Sequence, residues 1–349
     1  MEHLNSNHFS GTKIIFFLIF ALVVLVIVST GMGYIKIPAS DVLRVIWYKV
    51  LGNSSGLKSL NRVFPYVILD VRLPRILTAA LVGAGLGMSG AVFQGILLNP
   101  LADPYTLGVS SGAAFGASLA LILNISLFGM DLVPIFAFLG AVGTLVAVLA
   151  ISSVRGQLNS NNLILSGVIV AAILSAGIGF LKYIADEEVS VIIFWLMGSF
   201  VSKTWCDVLL TMAFIVFGTG VFIFYSRDLN VISLGDQISE SLGVEANRVK
   251  KVLLVTASLV TAVCVSVSGI IGFVGLIVPH LMRFILGPDN QRLIPASALG
   301  GALLLLIADT TTRSLLPHEI PIGILTSLLG GPFFCYIFRK KELGRVHGA

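Results

Sequence analysis

Between Ile14 and Val28 the chain carries no polar side chain, and the apolar character continues through Ser29 to Ile35. A helix needs about 20 such residues to cross a hydrocarbon layer, so this run is long enough to span one. Comparable stretches follow at about 75–97, 107–125, 132–154, 163–184, 206–225, 252–271, 274–287, 293–311 and 322–338. Inside a bilayer each backbone N–H and C=O must be satisfied within its own segment, so these stretches are predicted to be helices. The fold class is therefore an all-α polytopic membrane protein with ten spans, and an even number places both termini on one side. Val191 to Phe200 is too brief to cross and is predicted to lie re-entrant or interfacial. A cleaved leader fits the first run poorly, because only Lys13 precedes it and its apolar core is too long.

Composition agrees: 56% of residues are apolar, 11% are charged and 36 are glycine. One transmembrane domain covering 1–349 is the natural division. The formal charge of +5 is small and scattered, so nucleic acid is not an expected partner whereas membrane lipid is. Cys206, Cys264 and Cys335 lack both metal-ligand spacing and a disulfide-framework pattern, and read as small buried hydrophobes. Counting Lys and Arg gives twelve for a cytoplasmic side holding both termini and ten for the outer side, which decides nothing alone.

Small residues mark where helices approach closely. Gly83 and Gly87, then Ser89 and Gly90, crowd the second span, and Gly108, Gly112 and Gly116 repeat the four-residue spacing in the third. Arg72 and Arg75 flank Pro74 at what is predicted to be the first turn of the second span, where the helix dipole favours an anion. Ser89-Gly90 precedes Pro100 by eleven residues, and Ser268-Gly269 precedes Pro279 by the same eleven. This predicts that spans two to five and seven to ten are equivalent halves. Five crossings separate their starts, so the halves run in opposite directions, an inverted repeat of the kind that frames a transport path.

The runs RLPR, SGAVFQ and NPLADPYTLGVSSGA, with GIIGFVGLIVPHLMR and EIPIGILTSLLGGPFF further on, resemble the signature of the FecCD family. These are permease subunits of ABC importers for iron-siderophore complexes, haem and cobalamin. The resemblance implies a type II importer permease working as a homodimer in the inner (cytoplasmic) membrane, with both termini cytoplasmic. It also implies an external binding protein that delivers the cargo. Two partner ATPase subunits would bind ATP and Mg, and this chain would hold no cofactor of its own. By the same resemblance Arg72, Arg75 and Arg313 dock the binding protein from the outer side, where 36–74 forms the loop. Leu234, Gly235, Ser239, Leu242 and Gly243, in the polar 226–251 stretch, contact the ATPase, and Ser160-Asn161 forms a cytoplasmic gate. Asp309, four residues before Arg313, offers an intrahelical partner that competes with docking.

No catalytic or metal site is expected. His280 is a lone histidine with no ligand set around it, and His318-Glu319 is followed by Ile322 where a zinc helix needs histidine. The chain contains no GxxxxGK[ST] run, so energy from ATP has to come through another subunit. The rival reading is a secondary transporter driven by an ion gradient, which requires ionisable residues near the bilayer midplane. The span interiors read as lacking them. A membrane-embedded enzyme would need clustered carboxylates or a histidine-rich site, and neither is present.

Overall fold

The computed structural model describes residues 2–33, 35–52, 61, 63–127, 130–154, 157–315 and 319–346. His318, Arg155 and most of the 53–62 part of the outer loop lie outside the described residues. Fourteen helices carry the fold: α1 (Glu2–Gly31), α2 (Ala39–Val50), α3 (body Leu73–Ile96), α4 (Val109–Ile122), α5 (Val133–Ser152), α6 (Ser160–Ile184), α7 (Val189–Leu196), α8 (Trp205–Phe224), α9 (Ser226–Ile232), α10 (Asp236–Ser241), α11 (Ala246–Ser268), α12 (Val274–Leu286), α13 (Asn290–Leu315) and α14 (Ile322–Val346). Two-residue hairpins join α4 to α5 and α5 to α6. Among the described residues seven helices are long and apolar enough to cross a membrane, and the shorter apolar helices 109–122, 274–286 and 322–335 complete the ten expected segments.

The second span begins earlier than the sequence suggested. Its helix runs unbroken from Val63 to Ile96, with Val67–Arg72 widened to a π turn. Pro65 stands within the first turn, where a missing N–H leaves no hydrogen bond unmade, so it does not break the helix. Arg72 and Arg75 therefore lie well inside a helix, and the dipole penalty inferred for a first turn does not apply to them.

Glycine sets how closely the central helices meet. A Cβ at Gly83 would overlap the carbonyl of Gly301, one at Gly301 would overlap that of Gly83, and one at Gly87 would strike the carbonyl of Ser297. Residue numbers rise on α3 as they fall on α13, so the two helices are antiparallel with their backbones nearly touching. Gly112 and Gly140 form the same reciprocal contact between α4 and α5, and a Cβ at Gly116 would strike the carbonyl of Phe136. Van der Waals packing of this kind is what holds helices together where lipid supplies no hydrophobic drive.

The two halves have matching helices in matching order, with 24, 14, 20 and 25 residues in α3 to α6 and 23, 13, 26 and 25 in α11 to α14. Contacts obey the same exchange: α3 packs on α13, and α11 packs on α5. Each short helix is entered through a left-handed residue, Gly108 at φ 74° and Phe273 at φ 69°. The segments leading into them meet, the Tyr105 hydroxyl donating to the carbonyl of Ile271 at 3.0 Å. The Ser-Gly pairs that first suggested the repeat are not structurally equivalent. Ser89 and Gly90 sit within α3, with Gly90 against the carbonyl of Gly275, whereas Ser268 ends α11 and Gly269 (φ 73°) turns the chain beside Trp195.

Candidate functional site

Functional side chains gather at opposite ends of the bundle. At one end lie Arg72, Arg75 and Arg313, all largely buried. Arg72 donates to the carbonyl of Thr30 at 2.7 Å and to that of Ile35, tying α3 to the end of α1. Arg75 reaches across to α13, with Nε 2.9 Å and Nη2 2.8 Å from Asp309 Oδ1. Its remaining edge, through Nη1, meets both carboxylate oxygens of Glu319 at 3.2 and 3.0 Å. Arg313 donates to the carbonyl and hydroxyl oxygens of Ser29 at 2.8 and 3.0 Å, and its Nε stands 3.9 Å from Asp309 Oδ2.

The intrahelical Asp309–Arg313 pair is thus the looser contact, and the closer partner of Asp309 is Arg75. Asp309 is fully buried and Glu319 is 45% exposed. One edge of the Arg75 guanidinium is fixed internally and the other is shared with a carboxylate at the surface. Sequence reading missed Glu319, whose separation of 244 positions from Arg75 hides the pairing. Asp309 within α13 and Arg283 within α12 also correct the expectation that span interiors hold no ionisable residue. Both have partners, Arg283 donating to Gln94 Oε1 at 2.8 Å.

The opposite end is built by α9 and α10, two short helices between α8 and α11. Gly235, at φ 109°, makes the turn between them, and Gly243, at φ 81°, ends the second. Residues with a Cβ adopt such angles only at a cost, which glycine avoids. Leu234 in the turn before α10, Ile238 on α10 and Leu242 at its C-cap are 59%, 49% and 61% exposed, three apolar side chains open to the outside. Ile238 was not singled out in the sequence. Ser239 turns inward instead: it is fully buried, its hydroxyl shared between the carbonyls of Gly235 at 2.8 Å and Val231 at 3.1 Å. It holds α10 on α9 and offers no exposed contact.

Beside these side chains opens a cleft of about 610 Å³ lined by Leu97, Leu98, Ser160, Asn161, Leu234, Ile238 and Lys250, among others. Ser160 and Asn161, read as a gate, therefore share one cavity with Leu234 and Gly235 of the coupling residues, whereas Ser239, Leu242 and Gly243 lie outside it. Asn159 caps α6 by accepting from the Asn161 N–H at 2.9 Å, which fixes Ser160 and Asn161 at the helix start. Among the described residues no group of three or more His, Cys, Asp or Glu could hold a metal ion.

The sequence profile of the FecCD transport family matches residues 21–340. The ABC transporter permease YvrB of Bacillus subtilis is 41% identical over 327 residues, covering 93% of this chain and 92% of that protein. The cobalamin import permease BtuC of Halobacterium salinarum is 44% identical over 278 residues, 79% of this chain and 74% of its own length. A solved structure described as an inward-facing metal-chelate type ABC transporter superposes with a TM-score of 0.81 at 36% identity, covering 94% of this chain and 99% of that one. PsaBC of Streptococcus pneumoniae, at 19% identity and a TM-score of 0.55, shares the fold. With a profile that runs nearly from end to end and relatives this similar over most of both lengths, the chain belongs to the FecCD transport family.

Proposed function

We propose that this chain, a multi-pass ABC importer permease, works as a homodimer in the cell membrane and admits a metal chelate along a path between its two copies. An external binding protein presents the cargo at the arginine end. Two ATPase subunits seat on the α9–α10 end in the cytoplasm, where both termini also lie, and they alone bind ATP and Mg. The observation that carries this reading is the exposure of Leu234, Ile238 and Leu242, apolar side chains on and beside α10 in the most polar part of the second half. Apolar side chains displayed there mean a protein partner. Ser160 and Asn161 border the same cleft, so movement of the seated partner reaches the proposed gate directly. Relatives of this chain are named for cobalamin, hemin, Fe(3+)-citrate and molybdate, which supports a metal chelate, or else an oxyanion, as the class of cargo.

An ion-driven transporter needs a titratable group exposed to the path. Asp309 and Arg283 are engaged by Arg75 and Gln94 and do not fill that role. The test is reconstitution with the ATPase partner in liposomes. ATP hydrolysis should rise when substrate-loaded binding protein is added outside, and a permease carrying Leu234→Asp with Leu242→Asp should no longer copurify with the ATPase. Intact copurification of that variant would remove the α9–α10 surface from the interface.

A further inference from the structure

The α9 segment is joined to the membrane bundle by one polar side chain of unusual completeness. Asn230, on α9, uses both ends of its amide on the start of α13. Its Oδ1 accepts from the backbone N–H of Asn290 and from Asn290 Nδ2, each at 2.8 Å, and its Nδ2 donates to Asp289 Oδ1 at 2.7 Å. Asp289 Oδ1 also accepts the N–H of Gln291 at 3.1 Å, so the same atom that binds Asn230 caps the helix. Asn290 is 5% exposed, and unmaking bonds to so buried a group leaves donors unsatisfied.

What α13 does next gives the joint its meaning. The helix runs 26 residues, meets α3 backbone to backbone at Ser297 and Gly301, and carries Asp309 and Arg313 into the arginine cluster at its far end. The two ends of the molecule are thus connected by one helix, held at one end by Asn230 and at the other by Arg75, with Pro295 lying between the Asn230 joint and the close contact at Ser297. Packed interfaces of this closeness move as units and do not deform smoothly.

We propose that Asn230 is a positioning residue for transport: its grip on Asp289 and Asn290 carries displacement of the α9–α10 segment into α13 and so to the arginine end. This rests on the reading above that α9–α10 seats the ATPase. The geometry supplies its own control, because exchanging the amide and the carboxylate restores the bonds from position 230 to both residues, giving up the Gln291 N–H that the shared Asp289 Oδ1 accepts and the carboxylate charge beside Arg292. Asn230→Asp places two carboxylates face to face and breaks the joint. Asn230→Asp together with Asp289→Asn restores an acceptor toward Asn290 and a donor–acceptor pair between the two side chains.

Two measurements separate this inference from the functional reading. In the isolated permease, exchange of the Asn290 amide should quicken in Asn230→Asp and slow again in the double variant, while the Gln291 amide, whose acceptor is gone, stays fast. In liposomes with the ATPase, Asn230→Asp should copurify normally and hydrolyse ATP at the unstimulated rate. Stimulation by loaded binding protein should fall about fivefold or more, on the scale of allosteric couplings, and be recovered by the double variant. The proposal is overturned if Asn230→Asp keeps full stimulation, or if the double variant recovers amide protection without recovering stimulation. A wild-type complex whose hydrolysis ignores the binding protein would instead overturn the functional reading, leaving the exchange result to judge the joint.

Discussion

Replacing Asp309 by alanine should be among the most damaging single changes in this chain. The carboxylate is fully buried and stands between Arg75, 11% exposed, and Arg313, 8% exposed. Its loss leaves two guanidinium groups facing each other with no anion between them. Breaking a buried pair by deleting one partner costs about 3–5 kcal/mol, because the charge left behind stays desolvated. Glu319 holds the same Arg75 from a position that is 45% exposed. Its replacement by glutamine should cost below about 1 kcal/mol, as for other pairs open to solvent. A convenient reporter is Cys264, which is fully buried on α11, while Cys206 and Cys335 are exposed and are first changed to serine. In detergent the labelling rate of Cys264 by a thiol-reactive dye tracks opening of the bundle. With a factor of ten for each 1.4 kcal/mol, Asp309→Ala should raise that rate roughly a hundredfold or more, and Glu319→Gln by less than about tenfold. Equal effects from the two changes, or an Asp309→Ala rate within a few-fold of the parent, would refute the assignment of Asp309 as the buried counter-ion.

Other consequences follow from the same contacts. Gly301→Val should cost about 1–3 kcal/mol or more, because its Cβ meets the carbonyl of Gly83, whereas Gly143→Ala, with open space around it, should be neutral or gain up to about 1 kcal/mol; the same thiol assay reads both. Burial pushes the Asp103 carboxyl, in the turn between α3 and α4, up to about 6, the N–H of Tyr105 opposing the shift. The folded chain keeps that proton above the ordinary value of 3.8, so stability should decline as pH rises from about 4 to about 6 and level off beyond. Asp103→Asn should remove that slope in melts taken across the range, while keeping the acceptor for Tyr105. If the arginine end docks a binding protein, Glu319→Gln frees one edge of Arg75 and should tighten association several-fold at low salt, with the gain fading as ionic strength rises.

How much of this was legible in the sequence depends on the distance over which each feature acts. Helices declared themselves because an apolar run long enough to cross a bilayer has no other stable form, and glycines four apart announced close approach without naming the partner. The partner was not readable: that Gly83 meets Gly301, or Arg75 meets Asp309, is fixed by packing between halves and leaves no local trace. The start of the second span was misplaced because 36–74 was read as one outer loop, though a helix tolerates Pro65 in its first turn. Asp309 was visible only as a neighbour of Arg313, since the four-residue rule knows nothing of other helices. The exposed apolar surface around α10 was seen at Leu234 and Leu242 but not at Ile238, whose outward position depends on how α10 sits on α9. Ser239 showed the reverse: a serine in a polar loop reads as exposed, and only the fold reveals that its hydroxyl bonds inward.

The central claim is that this permease moves cargo with energy delivered from outside itself. The most direct measurement is uptake of a labelled metal chelate into proteoliposomes, with proton and sodium gradients collapsed by ionophores. Uptake should occur only when the partner ATPase, ATP inside the vesicle and loaded binding protein outside are all present, with the ionophores making no difference. Accumulation by the permease alone under a proton or sodium gradient, abolished by the matching ionophore, would contradict it.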